Sequence, residues 1–169
     1  RVVQREVITL DPEYEEGYYS MNPINGLKIA RKLGHFTYRN PADLNQKFLD
    51  NKKSSIEELS DVENYLEYNA HKFAANFDTN CYLYLLHAMD LYDIADGFDS
   101  EIAALKNIQA KTLVISVNSD ILFTPQQQDE LVESLTAAGV DTLYIKHKSN
   151  YGHDTFLVET DLIGNYVSE

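Results

Sequence analysis

The pattern of apolar and polar positions changes character near residue 106. Before that point, long segments repeat apolar residues at helical spacing and show no strand pattern. After it, short β-prone runs alternate with helical segments. We therefore predict an α/β chain in which residues 11–105 form a helical part without a sheet. Residues 106–169 would combine strands with helices.

Two segments of the first part carry the clearest helical patterns. Asp61 is a predicted N-cap, and the helix after it places one face at Val62, Tyr65, Leu66, Asn69 and Phe73. A second helix, from about Thr79 to Leu91, is apolar nearly all round, so we expect protein to cover it on several sides. The single cysteine, Cys81, is predicted to be a packed core thiol in that helix. Weaker patterns predict helices over 25–34 and 41–49, and a solvated acidic loop over 50–60.

The second part reads as a strand, a helix and a second strand. Residues 112–117 are a continuous β-prone run, typical of a strand buried on both faces of a parallel sheet. Pro125 opens a helix that closes at Gly139, and residues 142–145 form the second strand. A unit of this kind joins parallel strands by a right-handed crossover, so both carboxyl ends lie on one edge of the sheet. A final helix is predicted over 153–166.

Two side chains with catalytic potential follow the two predicted strands. Asp120 follows the first strand and His153 follows the second, so the sheet would deliver both to one edge. A buried carboxylate that holds one imidazole nitrogen fixes the tautomer, and the other nitrogen then takes the proton of a nucleophile. Two plainer interpretations stay open: Asp120 as a turn cap, and His153 as the first residue of the last helix without a catalytic task.

Composition and charge exclude several classes of function. Fourteen basic against twenty-seven acidic residues give a formal charge of −13, which repels phosphate backbones and makes nucleic acid a poor partner. No apolar run is long enough for a membrane span, and one cysteine fits a reducing cytoplasm. The remaining histidines show no metal-ligand spacing and are predicted to be surface or satisfied polar residues: His35, His71, His87 and His147.

Several segments together resemble one known family. Residues 118–125 (Asn-Ser-Asp-Ile-Leu-Phe-Thr-Pro) and 151–157 (Tyr-Gly-His-Asp-Thr-Phe-Leu) resemble the acid and histidine motifs of homoserine O-acetyltransferases. Upstream, the resemblance continues in the same order through 11–19, 26–38, 62–66 and 77–85. It covers essentially the whole chain and is more specific than either motif alone.

The resemblance implies the C-terminal part of an α/β-hydrolase fold. In that fold, residues 1–10 would be the end of a core segment, residues 11–105 the helical lid and residues 106–169 the C-terminal part of the core. It implies transfer of an acetyl group from acetyl-CoA, a co-substrate, to the hydroxyl of L-homoserine through an acyl-serine intermediate, in methionine biosynthesis and with no bound cofactor. Asp120 and His153 would be the catalytic acid and histidine. Arg31 would hold the substrate carboxylate with Tyr38 beside it, and Asp154 would face the amino group, roles that suit a guanidinium fork and a carboxylate. The family dimerises through its lid helices.

The chain departs from the family in lacking a Gly-x-Ser-x-Gly-like elbow. We therefore expect the serine nucleophile and the oxyanion-hole amides in a missing N-terminal half, and no activity from this chain alone. Cover for its apolar surfaces would come from that half or from self-association through the lid helices. Two other readings stay open: another O-acyltransferase or an esterase on the same fold, and a non-catalytic helical interaction module.

Overall fold

The computed structural model describes residues 1–48 and 60–168, and contacts divide the chain into two compact units. The first unit comprises residues 1–36 and 44–92, and the second comprises residues 37–43 and 93–169. This division follows packing, whereas the predicted lid and core boundaries concern family architecture and stay predictions. The predicted loop over 50–60 lies outside the described residues except for Ser60.

Helices account for all regular structure described before residue 112. They are α1 (Val2–Thr9), a 3₁₀ helix (Pro12–Gly17), α2 (Ile24–Tyr38), α3 (Pro41–Lys47), α4 (Asp61–Ala74), α5 (Thr79–Leu91) and α6 (Glu101–Leu105). Within the described residues this confirms the prediction of a helical first part without strands. The core of the first unit joins α1, α2, α4 and α5 through Ile8, Leu27, Ala30, Ala74, Tyr82, Leu83 and Leu86.

The predicted N-cap of α4 is wrong by one residue. Ser60 is the cap: its hydroxyl accepts from the backbone N–H of Glu63, and the Glu63 carboxylate accepts from the backbone N–H of Ser60 at 2.8 Å. This reciprocal pair satisfies two backbone donors that a helix start leaves open. Asp61 instead lies in the first turn, where a negative charge complements the helix dipole.

Helix α5 has the predicted bounds but not the predicted burial. Only the face with Tyr82, Leu83 and Leu86 is buried, whereas Tyr84 is 76% and Leu91 83% exposed. Cys81 is also exposed, so its assignment as a core thiol is wrong. Both results follow from the position of each residue around the helix axis, because Cys81 and Tyr84 lie on the side opposite Tyr82, Leu83 and Leu86.

The second unit contains a parallel two-stranded sheet. Strands β1 (Thr112–Val117) and β2 (Thr142–His147) pair in register from Thr112 opposite Thr142 to Val117 opposite His147. Helix α7 (Pro125–Ala137) connects them, and Gly139 follows it at a φ of +80°, as expected for a helix C-terminus. Strand β2 is longer than predicted because it stays paired to the end of β1.

Burial of β1 is one-sided. Val114 and Ser116 are buried, and the residues between and beside them are only partly covered, so the prediction of burial on both faces is wrong for this chain. The buried face packs on a small core of Leu105, Val114, Leu135 and Val140. A sheet of two strands has too few neighbours among the described residues to cover its second face.

The predicted final helix is three shorter elements. They are a 3₁₀ helix (Gly152–Asp154), α8 (Thr155–Val158) and α9 (Thr160–Ser168), with a break at Glu159. The Glu159 carboxylate is 2.6 Å from Nε2 of the buried His147 at the end of β2. None of the helices in 1–48 and 60–168 has the length and apolar content needed to cross a membrane.

Candidate active site

Asp120 is held rigidly in the turn that follows β1. Its side chain is buried, and its Oδ1 accepts hydrogen bonds from the backbone N–H groups of Leu122 (2.8 Å) and Phe123 (2.9 Å). Aspartate favours this position because its carboxylate can close a turn onto the backbone two and three residues ahead. Asp120 therefore does cap a turn, as one of the two plainer interpretations predicted, but the turn occupies only one of its two carboxylate oxygens.

The second oxygen of Asp120 binds the histidine. Oδ2 lies 2.9 Å from Nδ1 of His153, which is the contact that the strand-end positions predict. An ionised carboxylate only accepts, so Nδ1 carries the hydrogen and Nε2 presents a lone pair. No side chain among the described residues hydrogen-bonds Nε2. The pair thus has the geometry of a base poised to accept a proton.

The loops after the two strands are joined by three successive hydrogen bonds. They link Asn118 to the backbone of Ser149 (2.7 Å), Ser119 to the backbone of Gly152 (3.1 Å) and Asp120 to His153 (2.9 Å). The buried hydroxyl of Thr155 adds a bond to the carbonyl of Gly152 at 2.6 Å. The position of His153 is consequently set by its whole loop and not by one bond.

A second segment packs against the histidine loop at Gly152. A Cβ added to Gly152 would lie 2.8 Å from the carbonyl oxygen of Tyr38 and 3.0 Å from the backbone nitrogen of Asn40. The φ of Gly152 is +65°, a region that favours glycine. The ring of Tyr38 lies beside that of His153, with centroids 5.8 Å apart. The structure therefore brings the predicted residue Tyr38 to the Asp120 and His153 pair.

A small apolar cavity of about 180 Å³ opens beside the pair. Its walls are formed by Ile115, Val117, Asp120, Phe123, Gln128, His153, Phe156 and Ile163. The rings of Phe123 and Phe156 meet His153 edge to face, with centroids at 5.2 and 5.8 Å. A cavity of roughly 150 Å³ can hold a benzene-sized group, so this one has room for a short acyl chain.

Asp154 is already ion-paired in the structure. Its Oδ2 lies 2.9 Å from Nε of Arg39, and Nη1 of Arg39 donates to the Asp43 carboxylate at 3.0 Å. Sequence reasoning did not single out Arg39. Its position directly after Tyr38, which the resemblance did assign, is the signal that would have pointed to it. The proposed contact of Asp154 with a substrate amino group would be made beside this cation.

Arg31 lies in the first unit, and its role in holding a carboxylate stays a prediction. Helix α2 does continue to Tyr38, as that prediction requires. The guanidinium of Arg31 lies over the ring of Phe73, 4.6 Å from the centroid, which is a cation–π arrangement.

Of the other histidines, His147 is a buried and satisfied residue, as predicted. Its Nδ1 is 3.1 Å from the Tyr166 hydroxyl, and its Nε2 is bound to Glu159. In the part of the chain that the structure describes, no three His, Cys, Asp or Glu side chains are grouped so that they could hold a metal ion.

Comparison with solved structures defines the class of protein. A homoserine O-acetyltransferase from Bacillus anthracis superposes with a TM-score of 0.86 at 23% identity, which supports the fold alone. Esterase E22 superposes with a TM-score of 0.83 at 26% identity. The matches cover 98% and 96% of this chain and 46% of each solved chain. The chain is thus a portion of an α/β-hydrolase fold, mostly helical with two parallel strands, as predicted.

Comparison by sequence defines the family. A homoserine O-acetyltransferase of Methanosalsum zhilinae is 42% identical over 173 residues, covering 98% of this chain and 35% of the relative. A serine O-succinyltransferase of Stenotrophomonas maltophilia is 41% identical over 178 residues, covering 99% of this chain and 48% of the relative. No protein-family model matches the chain. The chain belongs to the family that contains these O-acyltransferases, and it spans less than half the length of these two relatives.

Proposed function

We propose that the protein containing this chain transfers an acyl group from a thioester to the hydroxyl of a small amino acid, with Asp120 and His153 as the acid and histidine of a triad. The observation that carries this proposal is the 2.9 Å contact between Asp120 Oδ2 and His153 Nδ1, with Nε2 left for a nucleophile. A serine from the part of the relatives that this chain does not span would complete the triad.

The chemistry follows from the protonation states of this pair. Nε2 of His153 accepts the serine hydroxyl proton as the serine oxygen attacks the thioester carbonyl, and Asp120 stabilises the imidazolium. The thiol leaves with that proton, and an acyl-serine remains. The acceptor hydroxyl then gives its proton to Nε2 and attacks the acyl-serine. The ester is released, and the proton on Nε2 passes to the serine oxygen, which restores the serine hydroxyl and the neutral histidine.

We assign acetyl-CoA as the acyl donor and L-homoserine as the acceptor. This reaction belongs to methionine biosynthesis and would take place in the cytoplasm. The support is the name of the Methanosalsum zhilinae relative and the short apolar cavity beside His153. Arg31 would hold the acceptor carboxylate with Tyr38 beside it, and Asp154 would face the amino group. The relative named serine O-succinyltransferase makes succinyl-CoA and L-serine the substrates to compare.

The test is acyl transfer by the purified full-length protein. Thiol release and ester product are measured together for acetyl-CoA with L-homoserine, and again with succinyl-CoA and with L-serine. His153→Ala should lower the transfer rate by several powers of ten because the proton carrier is lost. His87→Ala, which changes an exposed histidine of the first unit, serves as the matched control. A His153→Ala rate close to that of the parent would refute the proposed role.

Ester hydrolysis is the second candidate, favoured by the close superposition of esterase E22. The same pair would then activate water against the acyl-serine. Thiol release at an unchanged rate without amino acid, and with free acetate as the product, would establish hydrolysis in place of transfer.

A further inference from the structure

The cavity beside His153 is lined by one polar side chain besides the Asp120 and His153 pair. That side chain is Gln128, the remaining polar residue among the described residues that form the wall. The rest of the wall is apolar: Ile115, Val117, Phe123, Phe156 and Ile163. The described lining thus contains one carboxylate, that of Asp120, and neither a lysine nor an arginine.

Helix α7 fixes the position of Gln128. Pro125 is the first residue of α7 and Thr124 its N-cap, and the backbone N–H of Gln128 donates to the Thr124 carbonyl at 3.1 Å. Gln128 is half-buried, whereas Gln126 is exposed and donates to Glu130 at 3.0 Å. Residues two positions apart on a helix do not share a face. One glutamine therefore lines the cavity, and the other lies on the outer side of the same helix.

The charge of the wall decides which acyl groups the cavity can hold at low cost. Moving a carboxylate from water into a largely apolar cavity costs free energy unless a cation or several hydrogen bonds meet it. The ionised carboxylate of Asp120 would in addition repel a second carboxylate. An acyl chain without charge meets neither cost, and the burial of its methylene groups against the apolar wall is favourable.

We propose that Gln128 determines which acyl donors the protein uses, because its neutral amide leaves the cavity without a fixed cation. Short uncharged acyl groups are then transferred in preference to acyl groups that end in a carboxylate. This inference rests on the proposed function, in which the acyl group of the thioester enters the cavity beside His153. It adds a specificity-determining residue of this chain that separates two classes of donor.

The experiment compares two four-carbon acyl donors in the full-length protein. Butyryl-CoA and succinyl-CoA have acyl chains of the same length, and the succinyl group ends in a carboxylate. With L-homoserine as acceptor, kcat/KM is measured for both donors and for acetyl-CoA. The succinyl-to-butyryl ratio of kcat/KM should be below one in the parent. Any effect on His153 or on the binding of the coenzyme A portion acts on both donors and cancels in this ratio.

A charge at position 128 should move the ratio in either direction. Gln128→Glu, which keeps the size of the side chain, should lower the ratio about tenfold, and Gln128→Lys should raise it about tenfold, the change that roughly 1.4 kcal/mol produces. The matched controls are Gln126→Glu and Gln126→Lys, which make the same charge changes at an exposed position of α7 and should leave the ratio unchanged. A purely structural role of Gln128 would lower kcat/KM for both donors alike and leave the ratio as it is.

The possible failures are distinct. A parent ratio above one, a ratio that is the same in the parent and both Gln128 variants, or an equal shift in the Gln126 variants would each overturn the inference. Acetyl transfer to L-homoserine by the parent would show in each of these cases that the proposed function still holds. A parent protein that transfers none of the three acyl groups would overturn the proposed function and this inference with it.

Discussion

Asparagine in place of Asp120 is the sharpest test of the Asp120 and His153 pair. In the structure, Oδ1 of Asp120 accepts from two backbone N–H groups, and Oδ2 faces Nδ1 of His153. The amide of asparagine has one oxygen, which can serve either the backbone pair or the histidine. If its NH₂ group faced the backbone, two partly buried N–H donors would lose their acceptor at a cost of up to about 1–3 kcal/mol each. The oxygen should therefore stay with the backbone.

That orientation reverses the histidine tautomer. The amide NH₂ then donates to Nδ1 of His153, so the ring proton moves to Nε2, and Nε2 can no longer accept the proton of a nucleophile. The expected result is a fall in kcat of about 10⁴-fold, the size found when a triad carboxylate becomes an amide with its geometry intact. The assay is acyl transfer by the full-length protein, together with the ¹⁵N spectrum of labelled histidine, which reports the tautomer.

The matched control is Asp129→Asn, which removes a carboxylate that binds Tyr144 and Lys146 on the outer side of the same unit. It should leave both kcat and the His153 tautomer unchanged. A fall of less than tenfold for Asp120→Asn, or a spectrum with the proton still on Nδ1, would show that the pair does not work in this way.

Three further outcomes are expected. In a urea titration, Gly152→Ala should lower the free energy of unfolding by about 1–3 kcal/mol, because its Cβ would lie 2.8 Å from the Tyr38 carbonyl oxygen at a φ of +65°. The control is Gly139→Ala, where nothing lies within 4 Å, and its loss should be smaller. Asp78→Asn should cost about 1 kcal/mol or less near neutral pH. The backbone N–H of Cys81 lowers the pKa of Asp78 below its usual 3.8, so the contribution of its charge is present above that pH and fades as the pH falls through the folded value; a difference between parent and variant that grows in acid would contradict this. The isolated 169-residue chain should transfer no acetyl group, and measurable transfer would contradict this. Because α5 exposes an apolar face, the chain should also associate with itself or with the rest of the protein. A stable monomer in ultracentrifugation that does not bind the rest of the protein would contradict the expected association.

The strand-end chemistry was readable from the sequence because it depends on local pattern and one topological rule. A β-prone run before Asp120 and another before His153 suffice, since parallel strands end on the same edge of a sheet. The ion pair of Arg39 with Asp154 was not readable in this way. It depends on the approach of residues 38–40 to the histidine loop, which no periodicity encodes.

The errors have equally specific causes. Cys81 was placed in the core because α5 is apolar on every side, and for such a helix only the neighbouring elements decide which face is buried. The final helix was predicted unbroken, and the contact of Glu159 with His147 at the break belongs to tertiary structure, which a local pattern does not encode. The N-cap at Ser60 could have been predicted from the sequence, since Ser60 and Glu63 have the spacing of a capping box.

Three hydrogen bonds join the loops after β1 and β2 and hold the acid and histidine of the candidate site together. All three fall within residues 118–153, so the bonds that join the acid to the histidine lie within a single βαβ unit. The acid and histidine pair is in this sense a local arrangement, held by two neighbouring strands and the loops that follow them. Lineages that vary the acyl group or the acceptor could therefore change the surroundings of this arrangement while inheriting its proton chemistry intact.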